Sequence, residues 1–144
     1  MAKDNDSTSL EKSFDTNLLV VILIGIFLPY VARLVGTIKH GVHWFLDYVP
    51  SIGAVLFFSV FDAIVPASLF MLRIFNPNRN IPFLCAASLG YIGMFVFHAT
   101  FDLGSSSTAA VAFLFVPAIL GVPLVLLGWG VGILVERSKN RHAH

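Results

Sequence analysis

The stretch VLFFSVFDAIVPASLFML, residues 55–72, decides the fold. It is a mostly apolar run with one charged residue, Asp62, and it is nearly as long as the roughly 20 residues that a helix needs to cross a bilayer. The rest of the 144-residue chain resembles it: 57% of residues are hydrophobic, 12% are charged, and the mean hydropathy is +0.85. Soluble domains are about half apolar and a quarter charged. The composition therefore predicts an integral membrane protein.

Four apolar segments are present, and each is close to or above the length of a spanning helix. They lie at about 18–38, 48–72, 82–101 and 109–135. Strands of a membrane barrel would alternate apolar and polar residues in segments of about 10, and these segments do not alternate. The sequence predicts an all-α, polytopic protein with four transmembrane helices in an antiparallel bundle with short loops.

The polar pieces between the segments are too short to form a core of their own. We therefore expect one membrane domain at 18–135, a polar N-terminal tail at 1–17 and a basic tail at 136–144. Arg33 and Lys39 are the exceptions to a common location of the basic residues. The other seven fall on the side that holds both termini: Lys3, Lys12, Arg73, Arg79, Arg137, Lys139 and Arg141. The positive-inside rule places both termini in the cytoplasm. The expected location of the protein is the inner (plasma) membrane.

Several function classes receive no support from the sequence. The single cysteine, Cys85, cannot form an intrachain disulfide or a two-cysteine redox motif. The net charge of +1 gives no indication of nucleic-acid binding. No nucleophile has a base and an orienting group beside it in the sequence. The sequence therefore argues against an enzyme, and no cofactor is expected.

Polar residues inside the spans are the first candidates for function, since an ionisable group in a bilayer is costly and typically has a role. Asp62 lies near the middle of its span, and Arg33 is the basic residue within a span that we expect to approach it. Arg33 either pairs with Asp62 or extends outward to the head groups. The remaining polar candidates inside the spans are His98, Asp102 and Tyr91, which lie on one face of the third span.

Prolines inside the spans add backbone breaks to these candidates. Pro29, Pro66, Pro117 and Pro123 each remove the hydrogen bond that would reach the carbonyl four residues earlier. For Pro66 that carbonyl belongs to Asp62 itself. A bend and a carboxylate are therefore expected at the same point of the second span, which is typical of a proton or cation site and also of a stabilised kink.

A second cluster of ionisable residues is expected on the opposite side from the termini. Its members are His40, His43, Asp47, His98 and Asp102. Imidazole and carboxylate groups suit zinc or iron, and two histidines from different helices suit a haem. The aromatic residues beside His43 also fit an ordinary membrane interface. A metal or haem site is thus one alternative.

Small residues at helical spacing indicate where the helices pack closely, because close contact over Gly, Ala and Ser drives association in lipid. Three stripes are present: Ser59, Ala63 and Ala67; Ala86, Gly90 and Gly93; and Gly121, Gly128 and Gly132. Most of these contacts are expected to lie inside the bundle.

The sequence favours a non-catalytic accessory, assembly or immunity-type subunit that docks to other membrane helices, either of another membrane protein or of a second copy as a homo-oligomer. A proton- or ion-linked transporter or channel that uses Asp62 is the first alternative. A membrane metal or haem protein that uses His40, His43 and His98 is the second. The protein is also expected to contact the lipid bilayer directly.

Overall fold

A computed structural model describes the backbone of residues 4–104 and 108–141, and the side chains from residue 17 onward except at 110 and 112. Lys3, which contributed to the expected orientation, lies outside the described residues. The described part is all-helical and contains no strand. Its helices are α1 (Asp4–His40), α2 (His43–Leu46), α3 (Ile52–Asp62), α4 (Ile64–Phe75), α5 (Asn80–Thr100), α6 (Ala109–Val116) and α7 (Val122–Arg141), with a π-helical turn at Pro117–Gly121.

Four helical stretches are long and apolar enough to cross a membrane, which confirms the predicted number. They are Asn17–His40, Ile52–Phe75, Asn80–Thr100 and Phe113–Arg141, and they are called spans one to four below. Helix α1 also continues backward from span one to Asp4, through most of the expected polar tail. No glycine or proline interrupts residues 4–17. Extending an existing helix requires no new nucleus, so the polar residues continue it.

Span two is divided at Asp62, as its proline predicts. Helix α3 ends at Asp62 and α4 begins at Ile64. Pro66 has no N–H to offer the Asp62 carbonyl, so the regular ladder stops there. At the other end, Ser51 Oγ accepts a hydrogen bond from the Ala54 N–H at 3.2 Å and caps α3. The span therefore starts at Ile52 rather than at 48, which places Tyr48 in the connection before it.

Span four is also interrupted. The wide turn Pro117–Gly121 separates α6 from α7, where Pro117 removes the bond to the Phe113 carbonyl. This turn packs against span two: a side-chain carbon added at Gly121 would overlap Val65 and approach Met94 of α5. The two interrupted spans thus meet near their breaks.

Among the described helices, α5 and α7 share the most extensive contact. A Cβ at Gly128 would lie 2.5 Å from the Cys85 carbonyl oxygen and 2.8 Å from Ala86 Cα, and one at Gly132 would overlap Pro82. The later residue of α7, Gly132, meets the earlier residue of α5, Pro82, while Gly128 meets Ala86, so the two helices run in opposite directions. We call the contact of Pro82, Cys85 and Ala86 with Gly128 and Gly132 the glycine-packed region.

Two of the three predicted small-residue stripes therefore pack inside the bundle. Ala86 and Gly90 are buried on α5, and all three glycines of the stripe in span four are buried: Gly121, Gly128 and Gly132. Gly93 is half-buried and faces Leu124. The third stripe differs, because Ser59 is half-buried while Ala63 and Ala67 are exposed. On this face of span two, Ser59 contacts Tyr30 of span one, while Ala63 and Ala67 stay exposed.

Candidate functional site

Asp62, the last residue of α3, is the centre of a buried polar cluster. Its side chain is 6% exposed, and its Oδ2 accepts a hydrogen bond of 2.6 Å from the Tyr48 hydroxyl. Tyr48 comes from the connection before α3 and is fully buried. Burial, followed by the nearby Asp62 carboxylate, raises the pKa of Tyr48 far above its usual value. Tyr48 therefore stays neutral, and its hydroxyl donates to Asp62.

His98 of α5 approaches the other oxygen of the same carboxylate. Its Nε2 lies 3.2 Å from Asp62 Oδ1, and the imidazole has no exposed surface. The distance is that of a contact pair, but the two groups are not aligned: Oδ1 and both ring nitrogens have no hydrogen-bond partner. A carboxylate and an imidazole within hydrogen-bond reach are suited to exchange a proton, and such contacts are often poorly aligned at rest. The pair joins spans two and three.

Arg33 adopts neither of the two arrangements that the sequence left open. The side chain is 1% exposed, so it does not reach the head groups, and within the described residues no ion pair of 4.0 Å or less joins it to Asp62. Its Cζ lies instead 5.1 Å from the ring centre of Trp44, 5.6 Å from that of Tyr48 and 5.3 Å from that of Phe113. The groups that contact the Asp62 carboxylate are instead Tyr48 and His98. Tyr48 reaches Asp62 because the connection before α3 folds back into the bundle.

Aromatic rings close this cluster. Phe113 is 1% exposed and lies edge-on to both Tyr48 and His98, with ring centres 5.8 Å and 5.0 Å apart. Tyr48 also stacks on Phe58 at 5.1 Å. We call Arg33, Tyr48, Asp62, His98 and Phe113 the aromatic-polar cluster. The rings cover most of the surface of these polar groups, and electrostatic interactions are stronger in such a low-dielectric interior than in water.

Two spaces meet at Asp62. On the inner side, a cavity of about 10 Å³, room for one water molecule, is lined by Asp62, His98 and Tyr91 among others. On the outer side, a groove of about 280 Å³ between spans one and two is lined by Asp62 together with Tyr30 and Ser59. The Tyr30 and Ser59 hydroxyls share a hydrogen bond of 2.6 Å. Asp62 thus lies between an internal water-sized space and the surface of the bundle.

The expected metal-binding residues are not brought together. No group of three His, Cys, Asp or Glu side chains among the described residues is placed to hold a metal. His40 stacks on Trp44 with ring centres 4.1 Å apart, and His98 Nε2 lies 3.2 Å from Asp62 Oδ1. His43, Asp47 and Asp102 are exposed, and Asp102 Oδ1 accepts from the Gly104 N–H at 2.8 Å. His43 thus lies exposed in the connection before span two, whereas His98 lies in the core of the bundle.

Tyr91 has a structural contact rather than a place in the cluster. Its hydroxyl donates to the Val21 carbonyl at 2.6 Å and packs over Gly25, where a Cβ would lie 2.5 Å from the hydroxyl oxygen. Spans one and three are fastened together at this point.

Sequence analysis missed Tyr48 as a member of the site. Its position after Trp44 and Phe45 suggested an interfacial aromatic residue. The signal that it lies outside span two is Pro50 followed by Ser51, a combination typical of a helix start.

In comparisons with known proteins, no protein-family model, no curated protein and no solved structure matches the chain.

Proposed function

We propose that the chain is a multi-pass membrane protein that takes up and releases a proton at the Asp62–His98 pair, in support of proton-linked transport. The observation that carries the proposal is the 3.2 Å contact between Asp62 Oδ1 and His98 Nε2, two buried groups on different apolar helices. Ionisable pairs in such helices are costly and are typical of proton relays. The sequence alone favoured a docking role, and this contact changes the preference.

A proton fits this site better than a metal cation. Calcium or magnesium takes six or more oxygen ligands, and sodium likewise requires several. Beside Asp62, the Tyr48 hydroxyl donates to Oδ2, and the Arg33 guanidinium carbon lies 5.6 Å from the centre of the Tyr48 ring. The positive charge of Arg33 would oppose a bound metal cation. A proton requires only the carboxylate and the imidazole.

The surroundings of Asp62 also support access for a proton. The water-sized cavity and the groove both reach this residue, so one carboxylate has openings on two sides. The breaks at Asp62 and at Pro117–Gly121 leave backbone groups outside the regular ladder. Interrupted helices near the middle of a bilayer are typical of transport sites. A small rearrangement at these breaks would alternate the access.

Proton flux into liposomes tests the proposal. The purified protein is reconstituted with an internal pH indicator, and a potassium gradient with valinomycin drives proton entry. We expect flux above that of empty liposomes, with a loss of about tenfold or more in Asp62→Asn and in His98→Gln. Asp102→Asn, an exposed carboxylate of the same type, should retain the flux. Equal flux in the wild type and folded Asp62→Asn would refute the proposal.

The orientation belongs to this proposal too. We place the protein in the inner membrane as an antiparallel bundle with both termini in the cytoplasm, which the distribution of basic residues supports. In a Cys85→Ala background, cysteine at position 140 should be protected from an impermeant thiol reagent in intact cells, and cysteine at position 104 should react. The opposite labelling pattern would invert the orientation.

Docking to another membrane helix remains the second candidate, favoured by the exposed stripe on span two. Ala63 and Ala67 face outward, and Ala67 lines a groove of about 450 Å³ between α4 and α7. Small exposed residues permit close approach of a helix from a second copy. In a Cys85→Ala background we expect Ala67→Cys to crosslink between copies in membranes, and Ile119→Cys, also exposed, not to do so. Absence of crosslinking at both positions would argue against the homo-oligomer.

A further inference from the structure

We propose that Arg33 binds a small monovalent anion, of the size of chloride, nitrate or formate, inside the bundle. The inference starts from unsatisfied hydrogen-bond donors. Arg33 is 1% exposed, and its Nε and Nη2 have no acceptor among the described residues. A buried N–H on a charged group without a partner costs more than any other kind of unsatisfied donor.

The aromatic rings around Arg33 do not meet this need. Trp44, Tyr48 and Phe113 offer ring faces at 5.1 to 5.6 Å from Cζ, and these attract the positive charge. The N–H groups of a guanidinium lie in its own plane and require lone pairs as acceptors. The cage therefore holds the cation in place and leaves part of its donor edge for another group.

The charge balance specifies the ligand. Asp62 accepts from Tyr48 and lies beside His98, and within the described residues no carboxylate lies within 4.0 Å of Arg33. One positive charge thus lies in a region of low dielectric without a contact partner, where such a charge requires pairing. A monoanion would provide the missing acceptor and a negative charge at contact distance. With three ring centres 5.1 to 5.6 Å from the guanidinium carbon, we infer a small anion.

The site lies beside the proposed proton site and does not depend on it. Tyr48 and Phe113 contact both Arg33 and His98, so the two sites share walls. Anion binding to the purified protein requires no proton movement. Failure of the flux experiment would leave this inference intact, and failure of anion binding would leave the proton site intact.

Trp44 provides the measurement, since Arg33 lies over its ring. The chain has two tryptophans, so Trp129→Phe isolates Trp44. The full-length variant in detergent is titrated with sodium chloride or sodium nitrate against a background of gluconate at constant ionic strength. We expect a saturable change in Trp44 emission, with chloride binding confirmed by calorimetry.

Variants of Arg33 decide whether that signal belongs to the proposed site. Arg33→Gln should abolish the saturable change, and Arg33→Lys should weaken it about tenfold, because the forked donor geometry is lost. Arg73→Gln is the matched control, since Arg73 is the other buried arginine described and lies over Phe83 at 5.1 Å. Its affinity should match that of the parent.

Two outcomes would overturn the inference. One is a titration without saturation, which would mean that water alone satisfies Arg33. The other is equal affinity in Arg33→Lys, which also decides the matter if Arg33→Gln fails to fold by circular dichroism.

Discussion

The glycine-packed region and the aromatic-polar cluster lie at opposite ends of the same helix, α5, and they are built in opposite ways. At one end, Gly128 and Gly132 let α7 touch the α5 backbone without any polar side chain. At the other, His98 meets Asp62 among large rings. Helices in lipid gain stability from close contact, whereas buried ionisable groups reduce it. The first region therefore explains why the bundle holds together, and the second is where a function is to be sought.

The largest expected effect comes from breaking the glycine-packed region. Gly128→Leu places atoms where the Cys85 carbonyl and Ala86 Cα already lie, and backbone cannot move aside as a side chain does. We expect the free energy of unfolding to fall by about 3 kcal/mol or more, near the upper limit for overpacked cores. Unfolding in mixed detergent micelles, followed by circular dichroism, measures the change.

Gly130→Leu on the same helix is the control, because nothing lies within 4 Å of a Cβ added there. It should be neutral or stabilising by up to about 1 kcal/mol, since leucine favours a helix more than glycine does. Similar losses in both variants would show that glycine matters for the helix rather than for the contact.

The next effect tests whether the aromatic-polar cluster acts as a unit. Asp62→Leu or His98→Leu alone strands the other group in an apolar interior and should cost about 3 kcal/mol. The double variant should recover part of that loss, with a coupling of about 1 to 3 kcal/mol. A double-mutant cycle on detergent-solubilised protein measures this coupling.

The same cycle with Arg33→Leu and Asp62→Leu distinguishes the two possible partners of Asp62. Since no contact of 4.0 Å joins them, their coupling should be smaller than that of Asp62 with His98. A larger coupling for Arg33 would restore the pairing that the sequence suggested.

The outcome of the sequence analysis follows the same division. The helices, the break at Pro66 and the small-residue contacts depend on local composition and spacing, and these were predicted from the sequence. The partners of Asp62 were not. They depend on how the connection between spans one and two folds back into the bundle after Gly41, which has a positive φ of 87°. The position of a residue along its span does not tell which way its side chain points around the helix axis.

A smaller effect compares one hydroxyl in each part of the protein. Tyr48→Phe removes a donor to a buried carboxylate, and hydrogen bonds to charged groups contribute about 1.5 to 3 kcal/mol. Tyr91→Phe removes a donor to the Val21 carbonyl, a neutral bond that contributes about 1 kcal/mol. We expect the first variant to lose more stability in thermal unfolding. Equal losses would mean that the hydrogen bond to Asp62 is no stronger than the neutral bond to the Val21 carbonyl.

The smallest expected effect concerns an ion pair at the end of the glycine-packed region. Arg79 before α5 lies 3.6 Å from Glu136 of α7, and the two side chains are 45% and 27% exposed. Water and salt screen such a pair, which typically contributes between 0 and about 1 kcal/mol. Arg79→Gln should therefore change the free energy of unfolding by less than about 0.5 kcal/mol, and high salt should remove the difference from the wild type. A loss comparable to that of Gly128→Leu would mean that charge, rather than close backbone contact, holds α5 against α7.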